Sequence, residues 1–154
     1  MIAPRRRKTI VVIGNGMVGH RFCERLIDYD VAGDYRLVAF SEEPRAAYDR
    51  VGLTSFFAHR DSEQVMTARK EWYRLHGIEL HTGDRAREID RDRKVVRSDK
   101  GVEIQYGSIV MATGSYPFVP QIPGITNSGV FVYRTIDDLK HLIEYSKQAK
   151  RCAI

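Results

Sequence analysis

"VVIGNGMVGHRF", residues 11–22, decides the fold. Aliphatic residues run up to Gly14, glycines recur at Gly16 and Gly19, and the sequence resumes with helical spacing. Residues 9–13 are short, apolar and β-branched and stop at a glycine, which predicts a buried strand. Beyond the turn, Val18, Phe22, Cys23, Leu26 and Ile27 fall on one face of a helix over residues 17–29. A polar break at 28–34 precedes Tyr35-Arg36-Leu37-Val38-Ala39-Phe40, which reads as a second strand. Up to residue 40 the chain therefore spells strand, glycine turn, helix, strand: a βαβ unit.

In that setting each glycine has its own task. Gly14 permits a tight strand-to-helix turn. Gly16 lets backbone approach a pyrophosphate with no Cβ between, and Gly19 lets helix and strand close up. The N–H groups and positive dipole end of the helix then face the anion. Glu42 lies about twenty residues further on with Glu43 beside it, and either could accept the hydroxyls of an adenosine ribose. An acid there also repels a 2′-phosphate. The alternatives are a ligand-free packing turn for the glycines and a plain turn residue before Pro44 for Glu43.

Residues 41–60 show little regular pattern and form a long excursion, a kind of segment that is often functional. A helix is expected from residue 62, with Asp61 or Ser62 as N-cap and Glu63 in its first turn. It would carry Val65, Met66, Ala68, Trp72 and Leu75 as core and end at Gly77. Ile78-Glu79-Leu80 is a short strand. Segments 86–89, 94–97 and 102–106 then alternate between charged breaks at 90–93 and 98–101, which predicts an antiparallel meander. "SIVMATG", residues 108–114, returns to the continuous apolar pattern of a parallel strand. Pro117, Pro120 and Pro123 mark an irregular connection, and residues 130–133 are expected as another short strand. Thr135 caps a helix through Leu139, Leu142 and Ile143 to about Lys147, with Asp137 and Asp138 at its positive end. A nicotinamide-binding domain would keep alternating helices and strands. A meander followed by "IVMATG" points to FAD instead.

The chain has 154 residues, enough for one domain with a core. With 43% hydrophobic and 29% charged residues it has an ordinary globular composition. No apolar run approaches the roughly 18 residues of a membrane span. The basic run Arg5-Arg6-Arg7-Lys8 is followed by too short an apolar stretch for a secretory signal. A cytoplasmic protein is expected. That run supplies much of the net charge of +5 and reads as a solvated terminus rather than a nucleic-acid arm. Cys23 and Cys152 match no disulfide or metal framework and are both expected as small buried hydrophobes. His20, His59, His76, His81 and His141 show no paired arrangement, so neither a metal site nor a catalytic side chain is expected.

The stretches "GNGMVG", "EEPRAAYDR", "IVMATGSYP" and "YRTIDDL", with the meander, resemble flavoproteins of the pyridine nucleotide-disulfide reductase fold. More narrowly, "IGNGMVGHRF", "EEPRAAYDRVGL", "MATGSYP" and "VFVYRTIDDL" are similar to the N-terminal part of siroheme-dependent NAD(P)H nitrite reductase large subunits, from about residue 8 to 154. The resemblance implies an α/β, Rossmann-like FAD-binding domain: a parallel sheet with an inserted antiparallel meander. It implies Gly14, Gly16, Met17, Val18 and Gly19 around the FAD pyrophosphate, and Glu42 on the ribose with Glu43 in reserve. It also implies Arg50 near the flavin, the Ala86 backbone at the adenine, Thr113 and Gly114 on FAD from the second motif, and Arg134 toward the phosphates. Read by themselves, Arg50 is a loop charge and Arg134 a helix-flanking one.

Two departures narrow the chemistry. No cysteine lies in residues 41–60, so thiol–disulfide exchange is not expected. Ser55 stands where ferredoxin and rubredoxin reductases often carry a lysine, which favours the nitrite reductases. The implied layout is a basic tail at 1–8, an incomplete FAD-binding domain at 9–150, and the first residues of an NAD(P)H-binding domain at 151–154. The chain is thus expected to be an FAD-binding segment, inactive alone. Its parent would pass electrons from NAD(P)H through FAD to iron–sulfur and siroheme centres. Implied partners are FAD, the parent's remaining domains and a second copy at an exposed sheet edge, with no nucleic acid or membrane. The alternatives are a rubredoxin- or ferredoxin-NAD(P) reductase-like flavoprotein, or a non-catalytic nucleotide-binding fragment.

Overall fold

The β-branched run at the N-terminus forms β1 (Lys8–Ile13), and the amphipathic stretch after the glycines forms α1 (Met17–Tyr29). These belong to a computed structural model that describes residues 7–59 and 65–154. There follow β2 (Tyr35–Ser41), α2 (Leu53–His59), α3 (Lys70–Leu75), β3 (Glu79–Thr82), β4 (Ala86–Asp90), β5 (Val95–Ser98), β6 (Glu103–Gln105), β7 (Ser108–Met111) and α4 (Ile136–Ser146). Strands β3-β2-β1-β7, in that order, make a parallel sheet, and β4-β5-β6 make a separate antiparallel one. Both parts of the expected α/β architecture are present.

Alternation along the strands explains how the sheets pack. Side chains of a strand point to opposite faces in turn, and a parallel sheet covered on both faces is apolar throughout. Ile10 and Val12 therefore join Cys23, Leu37, Ala39, Tyr73 and Ile78 in one core, beneath α1 and α3. Val11 and Ile13 join Val38 and Phe40 in a second core, closed by Val96 and Ile104 of the meander. Full burial of each large aliphatic side chain contributes about 1.5–3 kcal/mol. A single buried carboxyl ties the two sheets together. Asp84 accepts from the Ser98 hydroxyl at 2.9 Å and the Lys100 backbone at 3.0 Å, while its own N–H donates to the Ser41 carbonyl at 2.8 Å.

The chain divides into two compact units. One comprises Met1–Asp49 and Met66–Gly114 and holds both sheets; the other comprises Arg50–Val65 and Ser115–Ile154 and holds α2 and α4. Helix α4 begins on a capping box: Thr135 Oγ1 accepts from the Asp138 N–H at 3.1 Å, and Asp138 Oδ2 accepts from the Thr135 N–H at 2.8 Å. No helix among the described residues is long and apolar enough to cross a membrane.

Several local expectations are corrected. Helix α3 starts at Lys70, not at 62; the expected caps Asp61 and Ser62, with Glu63, lie outside the described residues. Met66 instead forms an antiparallel bridge with Tyr48, and the Thr67 and Ala68 N–H groups both donate to the Ala47 carbonyl. The apolar spacing of Val65, Met66 and Ala68 thus lies outside α3: Val65 and Ala68 are buried, and the Thr67 and Ala68 N–H groups bond the excursion they cross. That excursion contains α2, which the lack of a regular pattern in 41–60 did not suggest. Residues 130–133 form no strand, because no ladder partner lies beside them among the described residues. Cys23 is buried as expected, but Cys152 is exposed, since 151–154 carry no regular structure that could cover it. Of the basic run, Arg5 and Arg6 lie outside the described residues, while Lys8 opens β1.

Candidate functional site

The glycine turn joins β1 to α1 under tight steric limits. Gly14 has φ +101°, and a Cβ built on it would lie 2.2 Å from the Ala112 carbonyl oxygen. A Cβ on Gly19 would lie 2.0 Å from the carbonyl oxygen of Gly14. Close backbone packing therefore requires both glycines. Gly16 differs: it is the N-cap of α1 at φ −85°, and a Cβ there would meet nothing within 4 Å. No side chain caps the helix, no acid occupies its first turn, and the side chains of Met17 and Val18 are exposed. The fold needs no glycine at this position, yet the helix end beside it is open and electropositive, the arrangement that receives a phosphate.

The second motif meets the first here. The Ala112 N–H donates to the Ile13 carbonyl at 2.8 Å, so the chain leaves β7 against the Gly14 turn and places Thr113 beside it, with Gly114 next in the chain at φ +69°. The two acids after β2 separate by environment. Glu43, with a side chain 18% exposed, accepts from the Tyr48 hydroxyl at 2.9 Å and from Arg45 at 3.1 Å. It fixes the loop. Glu42, 55% exposed, has Arg85 at 4.0 Å and turns its carboxylate outward. Ala86 opens β4 next to Arg85 and is half-buried.

Arg50 and Arg134 belong to the other unit, and there they meet. Arg50 Nη1 donates to the Arg134 carbonyl at 3.3 Å, and Arg134 Nη1 donates to Ser115 Oγ at 3.4 Å. The Arg134 N–H donates to Asp138 Oδ2 at 3.2 Å, which sets this pair at the N-terminus of α4.

One group behind the turn was not anticipated. The Tyr73 hydroxyl lies 3.0 Å from the near end of the Asn15 carboxamide and 2.9 Å from His20 Nδ1. His20 Nε2 lies 3.5 Å from Glu24, and the Trp72 ring packs edge-on against the imidazole with centroids 4.7 Å apart. Burial holds the imidazole below its ordinary range, with Glu24 pulling the other way. Burial also raises the Tyr73 phenol far above its usual range and pushes the Cys23 thiol up to about 12. A polar residue between two glycines and a histidine on the inner face of α1 were visible in the sequence. Their partner on α3 was not, because no spacing rule links residues that far apart. Among the described residues, no three His, Cys, Asp or Glu side chains gather as for a metal ion.

Comparison with known proteins gives concordant findings. Residues 8–154 match the family described as pyridine nucleotide-disulphide oxidoreductase. The chain is 45% identical over 145 residues to the nitrite reductase (NADH) large subunit of Escherichia coli (strain K12), covering 94% of this chain and 17% of that protein. It is 44% identical over 145 residues to the nitrite reductase [NAD(P)H] large subunit of Klebsiella oxytoca, covering 94% of this chain and 15% of that one. The chain thus spans under a fifth of these relatives' length. A ferredoxin reductase from Rhodopseudomonas palustris has the same fold, with a TM-score of 0.83 at 24% identity over 92% of this chain and 35% of that one.

Proposed function

Because the chain belongs to the pyridine nucleotide-disulphide oxidoreductase family, we propose that it is the FAD-binding segment of an NAD(P)H-dependent flavoprotein of the nitrite reductase kind. The observation that carries this reading is Gly16: an uncapped helix N-terminus beside a glycine that steric packing does not demand. Gly14, Gly16, Met17, Val18 and Gly19 surround the pyrophosphate, Glu42 holds the adenosine ribose, and the Ala86 backbone meets the adenine. Thr113 and Gly114 complete the contact from the second motif, and Glu43 acts by fixing the loop that carries Glu42. Arg50 serves the flavin side and Arg134 the phosphates. Residues 9–150 form the FAD-binding domain, and 151–154 lead toward an NAD(P)H-binding one.

Bound there, FAD supplies two-electron acceptance from a nicotinamide and one-electron delivery onward, in the parent to iron–sulfur and siroheme centres. The chain's own residues bind and orient; none of them needs to act as acid or base. Ser55 favours this reading over that of a ferredoxin reductase, since its hydroxyl donates locally to the Gly52 carbonyl at 2.6 Å and offers no ammonium. The partners are FAD, the parent's remaining domains and a second copy, and the setting is the cytoplasm, where reduced nicotinamide is available.

Titration with FAD, followed by absorbance at about 450 nm, tests the reading. The protein takes up one FAD. Gly16→Ala weakens binding at least about tenfold while thermal stability changes by no more than about 1 kcal/mol. Gly14→Ala, forced against the Ala112 carbonyl, destabilises the fold itself by about 3 kcal/mol. An unaltered affinity in Gly16→Ala, or a wild type that binds no FAD, overturns the proposal.

A further inference from the structure

Asn15, His20 and Tyr73 are buried, at 6, 2 and 1% exposure. The Tyr73 hydroxyl has one proton and two facing partners, the Asn15 carboxamide at 3.0 Å and His20 Nδ1 at 2.9 Å. The Ala47 backbone bonds the same oxygen. A hydroxyl donates to one partner only. With Oδ1 turned toward Tyr73, the proton goes to Asn15, and His20 must donate from Nδ1. His20 Nε2, 3.5 Å from Glu24 Oε1, is then a donor only if the imidazole is charged. In that arrangement Asn15 Nδ2 is also buried without a hydrogen-bond partner, which is costly.

A half-turn of the carboxamide exchanges its two isosteric ends and removes these faults together. Asn15 Nδ2 then donates to Tyr73, Tyr73 donates to His20 Nδ1, and His20 donates from Nε2 toward Glu24. The oxygen that replaces Nδ2 is the end more easily left with fewer bonds. We infer that Asn15, Tyr73 and His20 form a directed hydrogen-bond relay, with His20 neutral and protonated at Nε2, that positions the glycine turn for the cofactor's phosphates.

The relay reaches the turn through Asn15. Gly14 and Gly16 have no side chains to hold them, so Asn15, between them, supplies the side-chain anchor, tied to α3 through Tyr73 and to α1 through His20. The groups that set the charge of His20 are Glu24 and Arg21 on its own helix, with Cys23 beside Tyr73, while α3 contributes the Trp72 edge and the Tyr73 hydroxyl and the turn contributes Asn15. Protonation makes Nδ1 a donor, reverses the relay and turns the Asn15 carboxamide between the two glycines. Asn15, Tyr73 and His20 are thus positioning residues, and their link to FAD rests on the flavin reading above.

Two measurements on the same chain test this. Long-range proton–nitrogen correlation of its histidines at about pH 7.5 finds His20 neutral, with the proton on Nε2. FAD titrations compare wild type with Tyr73→Phe at about pH 7.5 and about pH 5. Wild-type affinity falls on acidification; the variant, which keeps the ring, binds about tenfold more weakly at the higher pH and shows a flattened pH profile. A charged or Nδ1-protonated His20 at the higher pH overturns the proton order. A variant that matches wild type at both pH values overturns the positioning role. A wild type that binds no FAD at either pH refutes the flavin reading itself, and with it the positioning role.

Discussion

At the scale of single residues, environment sorts side chains that the sequence lists as equals. Glu42 and Glu43 are adjacent carboxylates, and only the partners of Glu43, Tyr48 and Arg45, show which of them is spent on the loop. The two cysteines divide as sharply. With its thiol pushed up to about 12 by burial, Cys23 holds almost no thiolate at neutral pH, whereas Cys152 is exposed. Iodoacetamide should therefore add one group to the native protein, at Cys152, and a second only in denaturant; mass spectrometry of the peptides checks this. His20 makes stability depend on pH. Its folded value lies below the unfolded one of about 6.5, so the unfolded chain takes up the proton first on acidification. Its contribution is complete above that unfolded value and shrinks as pH falls below it, until the folded imidazole titrates too. Wild type should accordingly lose Tm faster than His20→Gln between about pH 7 and about pH 5. Parallel Tm curves would rule this out.

Elements were legible where the determinants are local. β1, the glycine turn and α1 follow from a β-branched run, three glycines and one apolar helix face, and α4 from the Thr135 capping box. The meander follows from three alternating segments between charged turns. What the sequence hid depends on distant partners. Val65, Met66 and Ala68 have apolar spacing that fits a helix, yet the Ala47 carbonyl and Tyr48 claim the backbone there. Residues 130–133 have strand composition but no neighbour to pair with. In the candidate site the glycine spacing was readable, whereas the anchoring of Asn15 by Tyr73 was not. Asp84 offers a test at this scale. Asp84→Ala removes the acceptor shared by Ser98 and the Lys100 backbone, leaving the buried Ser98 hydroxyl and the half-buried Lys100 N–H without it. The substitution should cost about 2–3 kcal/mol, and hydrogen exchange should quicken first in β4 and β5. Uniform protection across both sheets in that variant would show that the carboxyl is not the tie.

For the molecule as a whole, the parallel sheet ends on β3 at one side and β7 at the other. Among the described residues β7 is paired only on its β1 side, and Met111 at its end is 61% exposed. An apolar edge strand is a template for further pairing. The free chain should therefore self-associate with concentration, and sedimentation velocity at rising loading would report it; a constant monomer over a hundredfold range would not fit. The sheet's order also sets a timetable for folding. β1 pairs with β2 from Lys8↔Tyr35 onward, a local event, but with β7 only from Ile10↔Ser108 onward. Long-range pairing closes slowly. On a ribosome that releases the chain from its N-terminus, helix α1 and its glycines are made early, yet the wall they lean on at Ala112 emerges only after the whole meander has been made. A nascent chain would thus carry its cofactor signature long before it could hold a cofactor.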